Sequence, residues 1–201
     1  MVLGIVGKIG SGKSAVVKYL QKNYDTLVFS CDDVAKEIME KGETDYEPGL
    51  PGEIFTNEKK QEECRTFLHP LVFEKINKNI NNFYKKSKEN LKENIKNKNN
   101  LNNYANFCEK IIIIESALPS DIMFKMCDKV IYIDSPYEER VKRLIDDRDY
   151  SESKTKLIYD SQKYYEKFYD MADFKINNDG TKEELKKKIK EVIDEIYITC
   201  K

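Results

Sequence analysis

The chain has one histidine, His69, so a metal centre built from clustered imidazoles is excluded. Its five cysteines, Cys31, Cys64, Cys108, Cys127 and Cys200, are odd in number and dispersed, with no Cys-x-x-Cys pair. That usage argues against a disulfide framework or a structural zinc site, and a reducing cytoplasm is the expected location. An excess of one charge is also lacking: 35 Lys and Arg face 36 Asp and Glu, a net charge of −1. A general nucleic-acid or membrane binder would show a basic excess, so neither partner is expected, although a local basic site stays open. Long apolar runs are missing. The longest, Ile111-Ile112-Ile113-Ile114, falls far short of the ~20 residues that span a bilayer. The segment Met1 to Lys8 has neither the basic start nor the apolar length of a secretion signal. Arginine is scarce: only Arg65, Arg140, Arg143 and Arg148 occur, and the last three fall within nine positions.

What is present suits one folded domain. With 201 residues, 40% hydrophobic and 35% charged, the chain is neither disordered nor fibrous. Val2 to Val6 reads as a buried strand that runs into a glycine-rich turn. A helix near Lys13 to Lys22 follows, with Val16, Val17 and Leu20 on one face. Leu27 to Phe29 is a second strand, followed by a helix from about Asp32 to Lys41 and a loop at Glu47 to Gly52. Glu58 to Leu68 reads as helical, and His69-Pro70 as the restart of a helix, because proline suits a first turn. Residues 77–106 are Asn/Lys-rich and keep a partial helical period through Ile80, Phe83, Leu91 and Ile95. The expectation is a solvated helix that frays near Lys98 to Asn103. Lys110 to Glu115 and Lys129 to Ile133 are strands buried on both faces, and Phe174 to Ile176 is a last short one. A helix near Ser120 to Cys127 separates the first two of these. Ser135-Pro136-Tyr137-Glu138 and Thr181-Lys182-Glu183-Glu184 read as capping boxes, and Ser151 as the cap of a helix to about Tyr169. Strand–helix alternation of this kind predicts an α/β fold, a five-stranded parallel sheet flanked by helices, with functional loops at the carboxyl ends of the strands.

The chemistry starts at Gly7-Lys8-Ile9-Gly10-Ser11-Gly12-Lys13-Ser14, which fits the P-loop pattern G-x-x-x-x-G-K-[ST] after a strand and before a helix. Its glycines let successive N–H groups turn inward onto phosphate oxygens, and the helix N-terminus adds positive partial charge. The expected ATP contacts are Lys8, Ile9, Gly10, Ser11, Gly12, Lys13, Ser14 and Ala15. Lys13 reaches the β- and γ-phosphates, and the Ser14 hydroxyl binds Mg²⁺. Asp32 and Asp33 follow the second strand, at the same sheet edge. One can take the proton of an acceptor hydroxyl while the other caps the helix. Glu115, closing the isoleucine strand, sits where an acid can hold Mg²⁺ through water; a helix cap or an ion pair is the alternative. In a chain that uses Lys almost everywhere, Arg140, Arg143 and Arg148 stand out as a phosphate clamp on a lid, because a planar guanidinium binds two oxygens. Pairing with Glu139, Asp146 and Asp147 is the plainer reading. His69 is either a helix-start residue beside Pro70 or a contact to the acceptor.

This sequence resembles the dephospho-CoA kinases. The resemblance rests on Ile5 to Ser14, on Ser30-Cys31-Asp32-Asp33-Val34-Ala35 and on Phe67-Leu68-His69-Pro70-Leu71-Val72. It continues through Arg143-Leu144, Arg148, Gln162, Ala172-Asp173 and Asn178-Asp179-Gly180, in the family's order. It covers nearly the whole chain, with the Asn/Lys-rich segment as an insertion. It implies a P-loop NTPase fold over 1–201, a helical acceptor-side insertion at 43–109 and a lid region at 136–169. It also implies phosphorylation of the 3′-hydroxyl of dephospho-CoA by ATP with Mg²⁺, the last step of coenzyme A biosynthesis. Asp32 would then be the base, with Lys13 and Arg148 the other catalytic residues. Arg143 and Asn178 would contact ATP, Asn178 at the adenine unless it is only a left-handed turn residue before Gly180. The protein is expected to be a monomer. The family's Gly-Gly is Gly7-Lys8 here, its Asp-Arg pair before Phe55 is replaced by Asp45-Tyr46-Glu47, and its glutamine ahead of the lid arginines is Arg140. After the third strand, Glu115-Ser116-Ala117-Leu118-Pro119 replaces Pro-Leu-Leu-Phe-Glu. A nucleoside or nucleotide kinase on the same scaffold and a non-kinase nucleotide-binding switch are the alternatives; a switch has no need of a base at Asp32.

Overall fold

The structure, a computed structural model, describes residues 1–46, 53–96 and 110–199. The loop expected at Glu47 to Gly52 and the fraying expected near Lys98 to Asn103 lie outside the described residues. The chain runs β1 (Val2–Val6), α1 (Lys13–Asn23), β2 (Thr26–Ser30), α2 (Cys31–Glu40), α3 (Glu58–Glu63) and α4 (His69–Lys96). It continues with β3 (Ile111–Ser116), α5 (Asp121–Met126), β4 (Lys129–Asp134), α6 (Tyr137–Arg148), α7 (Glu152–Ser161), α8 (Lys167–Met171), β5 (Phe174–Asn177) and α9 (Lys182–Thr199). The strands form one sheet in the order β2-β3-β1-β4-β5, with every pairing parallel.

The isoleucine run explains the layering. Alternate residues of a strand face opposite sides. Ile112 and Ile114 join Val34, Ile38, Phe73 and Ile76 of α2 and α4 on one face. Ile111 and Ile113 join Val16, Leu20, Ile189 and Ile193 of α1 and α9 on the other. All four isoleucines are at most 1% exposed. Each such burial contributes about 1.5–3 kcal/mol, and a strand covered on both faces needs no polar alternation.

Register then fixes the site. Ser30 lies opposite Glu115, Ile5 opposite Glu115, and Val6 opposite Ser116 and Tyr132. The chain therefore leaves β1, β2 and β3 at one edge of the sheet, where the glycine loop and Asp32 follow and Glu115 stands near the end of β3.

Four local expectations are corrected. Helix α4 starts at His69 as expected, but the helix before it is not regular to Leu68. Cys64–Leu68 forms a π-helical turn, with the His69 N–H bonded to the Cys64 carbonyl, and runs straight into α4. In a regular helix a proline clashes with the carbonyl four residues back, and a widened turn just before Pro70 accommodates it. Ser135 is not a capping residue: α6 starts behind Pro136 with no side-chain cap, because the Ser135 hydroxyl donates to the Asn178 carbonyl at 2.7 Å. Ser151 does cap α7 through the Lys154 N–H, but α7 ends at Ser161, and a 3₁₀ turn at Lys163–Glu166 and α8 replace the single helix expected. Ser30, not Asp33, caps α2 by accepting the Asp33 N–H at 3.3 Å. The second capping box is formed as expected: Thr181 Oγ1 accepts the Glu184 N–H at 3.2 Å and Glu184 accepts the Thr181 N–H at 2.7 Å. Among the described residues no helix is long and apolar enough to cross a membrane.

Candidate active site

The glycine loop is shaped by its neighbours. Gly7, Gly10 and Gly12 have φ of 150°, 80° and 97°, values that side-chain-bearing residues rarely adopt. A Cβ on Gly7 would lie 2.2 Å from the Ile133 carbonyl oxygen, and one on Gly12 would lie 2.1 Å from Asn178 Nδ2. The loop carbonyls are held from outside. Arg143 Nη1 donates to Gly10 O at 3.3 Å and to Ser11 O at 3.4 Å, and Asn178 Nδ2 donates to Ser11 O at 2.8 Å. A trans peptide presents its N–H opposite its carbonyl, so this clamp turns the Gly12 N–H away from Asn178. Gly12 also precedes α1 with no side-chain cap, which leaves the first N–H groups of the helix as an anion site.

Lys13 opens α1 yet is only 6% exposed. Its Nζ donates to Gly7 O at 2.9 Å and Lys8 O at 3.2 Å, and lies 3.9 Å from Glu115 Oε1. The Ser11 hydroxyl is buried with no hydrogen-bond partner. A cradle that excludes a Cβ and a buried ammonium at its head fit the phosphates of a nucleotide, while the Ser11 side chain lies behind the loop, outside the residues lining the cleft. Among the described residues no group of three or more His, Cys, Asp or Glu could hold a metal ion. A divalent cation here would therefore share its ligands with phosphate oxygens, as Mg²⁺ does, and Ser14 and Glu115 both line the cleft where it would sit.

That cleft has a volume of about 780 Å³. It brings together Lys13, Ser14, Asp32, Glu115, Arg143 and Asn178, with Ile9, Gly10, Gly12 and Ala15 of the loop. Asp33 lines it as well, so the carboxylate expected to cap a helix instead stands beside Asp32. Asn178 is not a left-handed turn residue, since among the described non-glycine residues only Asp149 has positive φ. Its N–H donates to Asp134 O at 2.7 Å, and its carbonyl accepts from Arg143 Nη2 at 3.1 Å and from Ser135. It thereby ties the end of β5 to the loop. Arg143 also donates to Ser135 Oγ at 3.0 Å and approaches Glu139 at 3.7 Å, so the plain ion pair is present beside its bonds to the loop.

Other expected residues stand elsewhere. Lys8 directs its Nζ to Glu166 Oε1 at 2.9 Å. Arg140 is buried, with its guanidinium 5.5 Å from the Tyr159 ring, and lines a small apolar recess with Leu144 and Ile158. Burial lowers its pKa, against the pull of Tyr132 and Asp134. His69 is 6% exposed, packs edge-on to Phe73 and is not among the residues lining the cleft. Burial, and then the Arg65 charge, lower its pKa to about 4. Arg148 closes α6, and its side chain lies outside the described residues. Cys31 and Cys64 are inert thiols: burial raises the first strongly and the second to about 12, with the Asp32 charge adding to both. Sequence reasoning missed Ser135, Asp147 and Lys182 as parts or supports of the site. Ser135 and Lys182 each lie just beyond a strand's carboxyl end, which was the available signal.

A family model described as an AAA domain matches residues 3–169. The chain belongs to the AAA domain family. Among its curated relatives, the dephospho-CoA kinase of Fusobacterium nucleatum subsp. nucleatum is 28% identical across 98% of each chain. The solved dephospho-CoA kinase from Campylobacter jejuni superposes with a TM-score of 0.50 at 22% identity, covering 97% of this chain and 96% of that one. Shikimate kinase from Acinetobacter baumannii, in complex with shikimate, gives 0.56 at 15% identity over 98% and 93%. The two solved structures share the fold. The likeness to dephospho-CoA kinases read from the sequence is thus borne out along nearly the full chain, and this AAA domain is a nucleotide-using P-loop kinase of that kind.

Proposed function

We propose that the enzyme transfers the γ-phosphoryl group of ATP to the 3′-hydroxyl of dephospho-CoA, giving CoA and ADP. The observation that carries this reading is that Lys13 and Asp32 line one cleft, the first from the phosphate cradle and the second from the end of β2. The acceptor oxygen attacks the γ-phosphorus as the bond to the bridging β–γ oxygen breaks, and ADP leaves with that electron pair. Asp32 orients the hydroxyl and takes its proton. Lys13 and the loop amides stabilise charge on the transferring group, joined by Arg148 from the end of α6. Arg143 and Asn178 hold the loop carbonyls, and in this reading Asn178 contacts the adenine. Mg²⁺, when bound by Ser14 and through water by Glu115, neutralises phosphate charge.

In this reading residues 136–169 form the lid. The arm within 43–109, which carries His69, serves the acceptor. The enzyme acts as a monomer in the cytoplasm, where Cys31, Cys64 and Cys127 stay free thiols. The test is ADP release from ATP with dephospho-CoA set against a panel of nucleosides and nucleoside monophosphates. Dephospho-CoA should give the highest kcat/KM; faster turnover of another acceptor would replace this assignment with a nucleoside or nucleotide kinase.

A further inference from the structure

The turn after α7 reaches the phosphate-binding loop through one buried side chain. Gln162 is fully buried, and its Oε1 accepts the Ile9 N–H at 3.1 Å. Its backbone is fixed on both sides: its N–H donates to Tyr159 O at 3.2 Å, and the Tyr165 N–H donates to its carbonyl at 3.1 Å. The other end of the amide, Nε2, is buried with no hydrogen-bond partner. An apolar side chain of equal length would remove that unpaired donor but would leave the buried Ile9 N–H without its acceptor. Glutamine adds an acceptor aimed at the loop.

The peptide it grips has two ends. Beyond the Ile9 N–H, on the opposite side of the same planar unit, the Lys8 carbonyl accepts from Lys13 Nζ at 3.2 Å and from the Ser11 N–H at 3.2 Å. Fixing the N–H of a trans peptide fixes the direction of its carbonyl. We propose that Gln162 is a positioning residue for ATP, which, by holding the Ile9 N–H, sets the Lys8 carbonyl that in turn places the Lys13 ammonium. The same segment supports the grip from both flanks. Ile158 packs on Ile9 with Leu144, and Glu166 pairs with Lys8. The lid-side chain thereby holds Lys8 and Ile9, while Arg143 and Asn178 hold Gly10 and Ser11.

The proposal rests on Lys13 meeting the phosphates of ATP and not on the identity of the acceptor, so its readout is ATP binding by calorimetry, well below the unfolding temperature. Gln162→Met keeps the length and removes the acceptor; ATP affinity should fall about tenfold. Lys190→Gln breaks an exposed ion pair with Asp194 on α9, away from the loop, and should stay within about twofold of the unaltered protein. A merely structural role would lower the unfolding temperature of Gln162→Met and leave its ATP affinity intact, which would overturn the proposal. Amide exchange of Ile9 in the unaltered, nucleotide-free protein tests the bond on which the proposal stands even if Gln162→Met fails to fold. Ile9 should be protected, and free exchange there contradicts the bond. Absence of ATP binding by the unaltered chain would instead overturn the P-loop reading, and this proposal with it.

Discussion

The phosphate loop and the helical arm each leave buried side-chain atoms without partners, Ser11 Oγ and Gln162 Nε2 around the loop and Gln61 and His69 in the arm, but the loop is locked through its backbone carbonyls. On the nucleotide side, Lys13 holds two loop carbonyls, Arg143 bonds to Gly10, Ser11, Ser135 and Asn178, and Asn178 closes onto Ser11. In the arm of α3, the π-turn and α4, both amide atoms of Gln61 and Nδ1 of His69 are buried without hydrogen-bond partners, and Phe67 is 59% exposed. The difference teaches how each kind of recognition is built. Phosphate is the same in every nucleotide, so backbone geometry fixed before binding can read it without reorganisation. Side chains that read a particular acceptor have no such common geometry and leave no motif.

The sharpest way to break the comparison is at the cradle. Lys13→Ala should cut kcat by about 10³-fold or more while the sheet stays folded, since its partners are loop carbonyls and not the core. Near-native turnover would show that the cradle is not where phosphate charge is met. Next comes the junction of the two sides. Asp32→Asn keeps size and hydrogen bonding but cannot take a proton, so kcat should fall by about 10²-fold or more with ATP affinity little changed. Asp33→Asn should do much less. Because Ser30 caps α2 and both carboxylates line the cleft, the reverse order would move the base to Asp33.

How legible each side was follows from the same contrast. The strands could be read because Ile111 to Ile114 are covered on both faces, and the loop because its glycines and Lys13 follow one another in the chain. The role of Asn178 could not, since it meets Ser11 from 167 residues away. Ser135 misled for a related reason. Its local capping pattern lost to a carbonyl 43 residues on, which no window around it contains. The π-turn was invisible because Glu58 to Leu68 has the composition of any helix, and only the Pro70 that follows asks for the wider ladder. Asp32 was legible from its place after a strand, whereas neither the burial of His69 nor that of Gln61 shows in their neighbours.

Two smaller effects sharpen the comparison. His69 is the only histidine and is held neutral, with a pKa near 4 against about 6.5 when unfolded. The unfolded chain therefore binds the extra proton between those values, so stability present above pH 6.5 is lost as pH falls towards 4, by up to about 3 kcal/mol. Urea midpoints across this range should fall less steeply in His69→Leu than in the unaltered protein; parallel curves would show that His69 is not desolvated. Arg143→Lys keeps a charge but loses the fork that spans Gly10, Ser11 and Asn178. KM for ATP should rise about tenfold with kcat less affected, and an unchanged KM would assign the clamp to Asn178 alone.

The central claim, that a prebuilt phosphate cradle serves a hydroxyl acceptor presented by Asp32, is tested most directly by the product. Phosphorus NMR of ATP and dephospho-CoA incubated with the protein and Mg²⁺ should show one new phosphomonoester, on the ribose 3′-oxygen, growing in step with ADP. Inorganic phosphate released in its place, or a phosphoryl group on any other oxygen, would contradict the account.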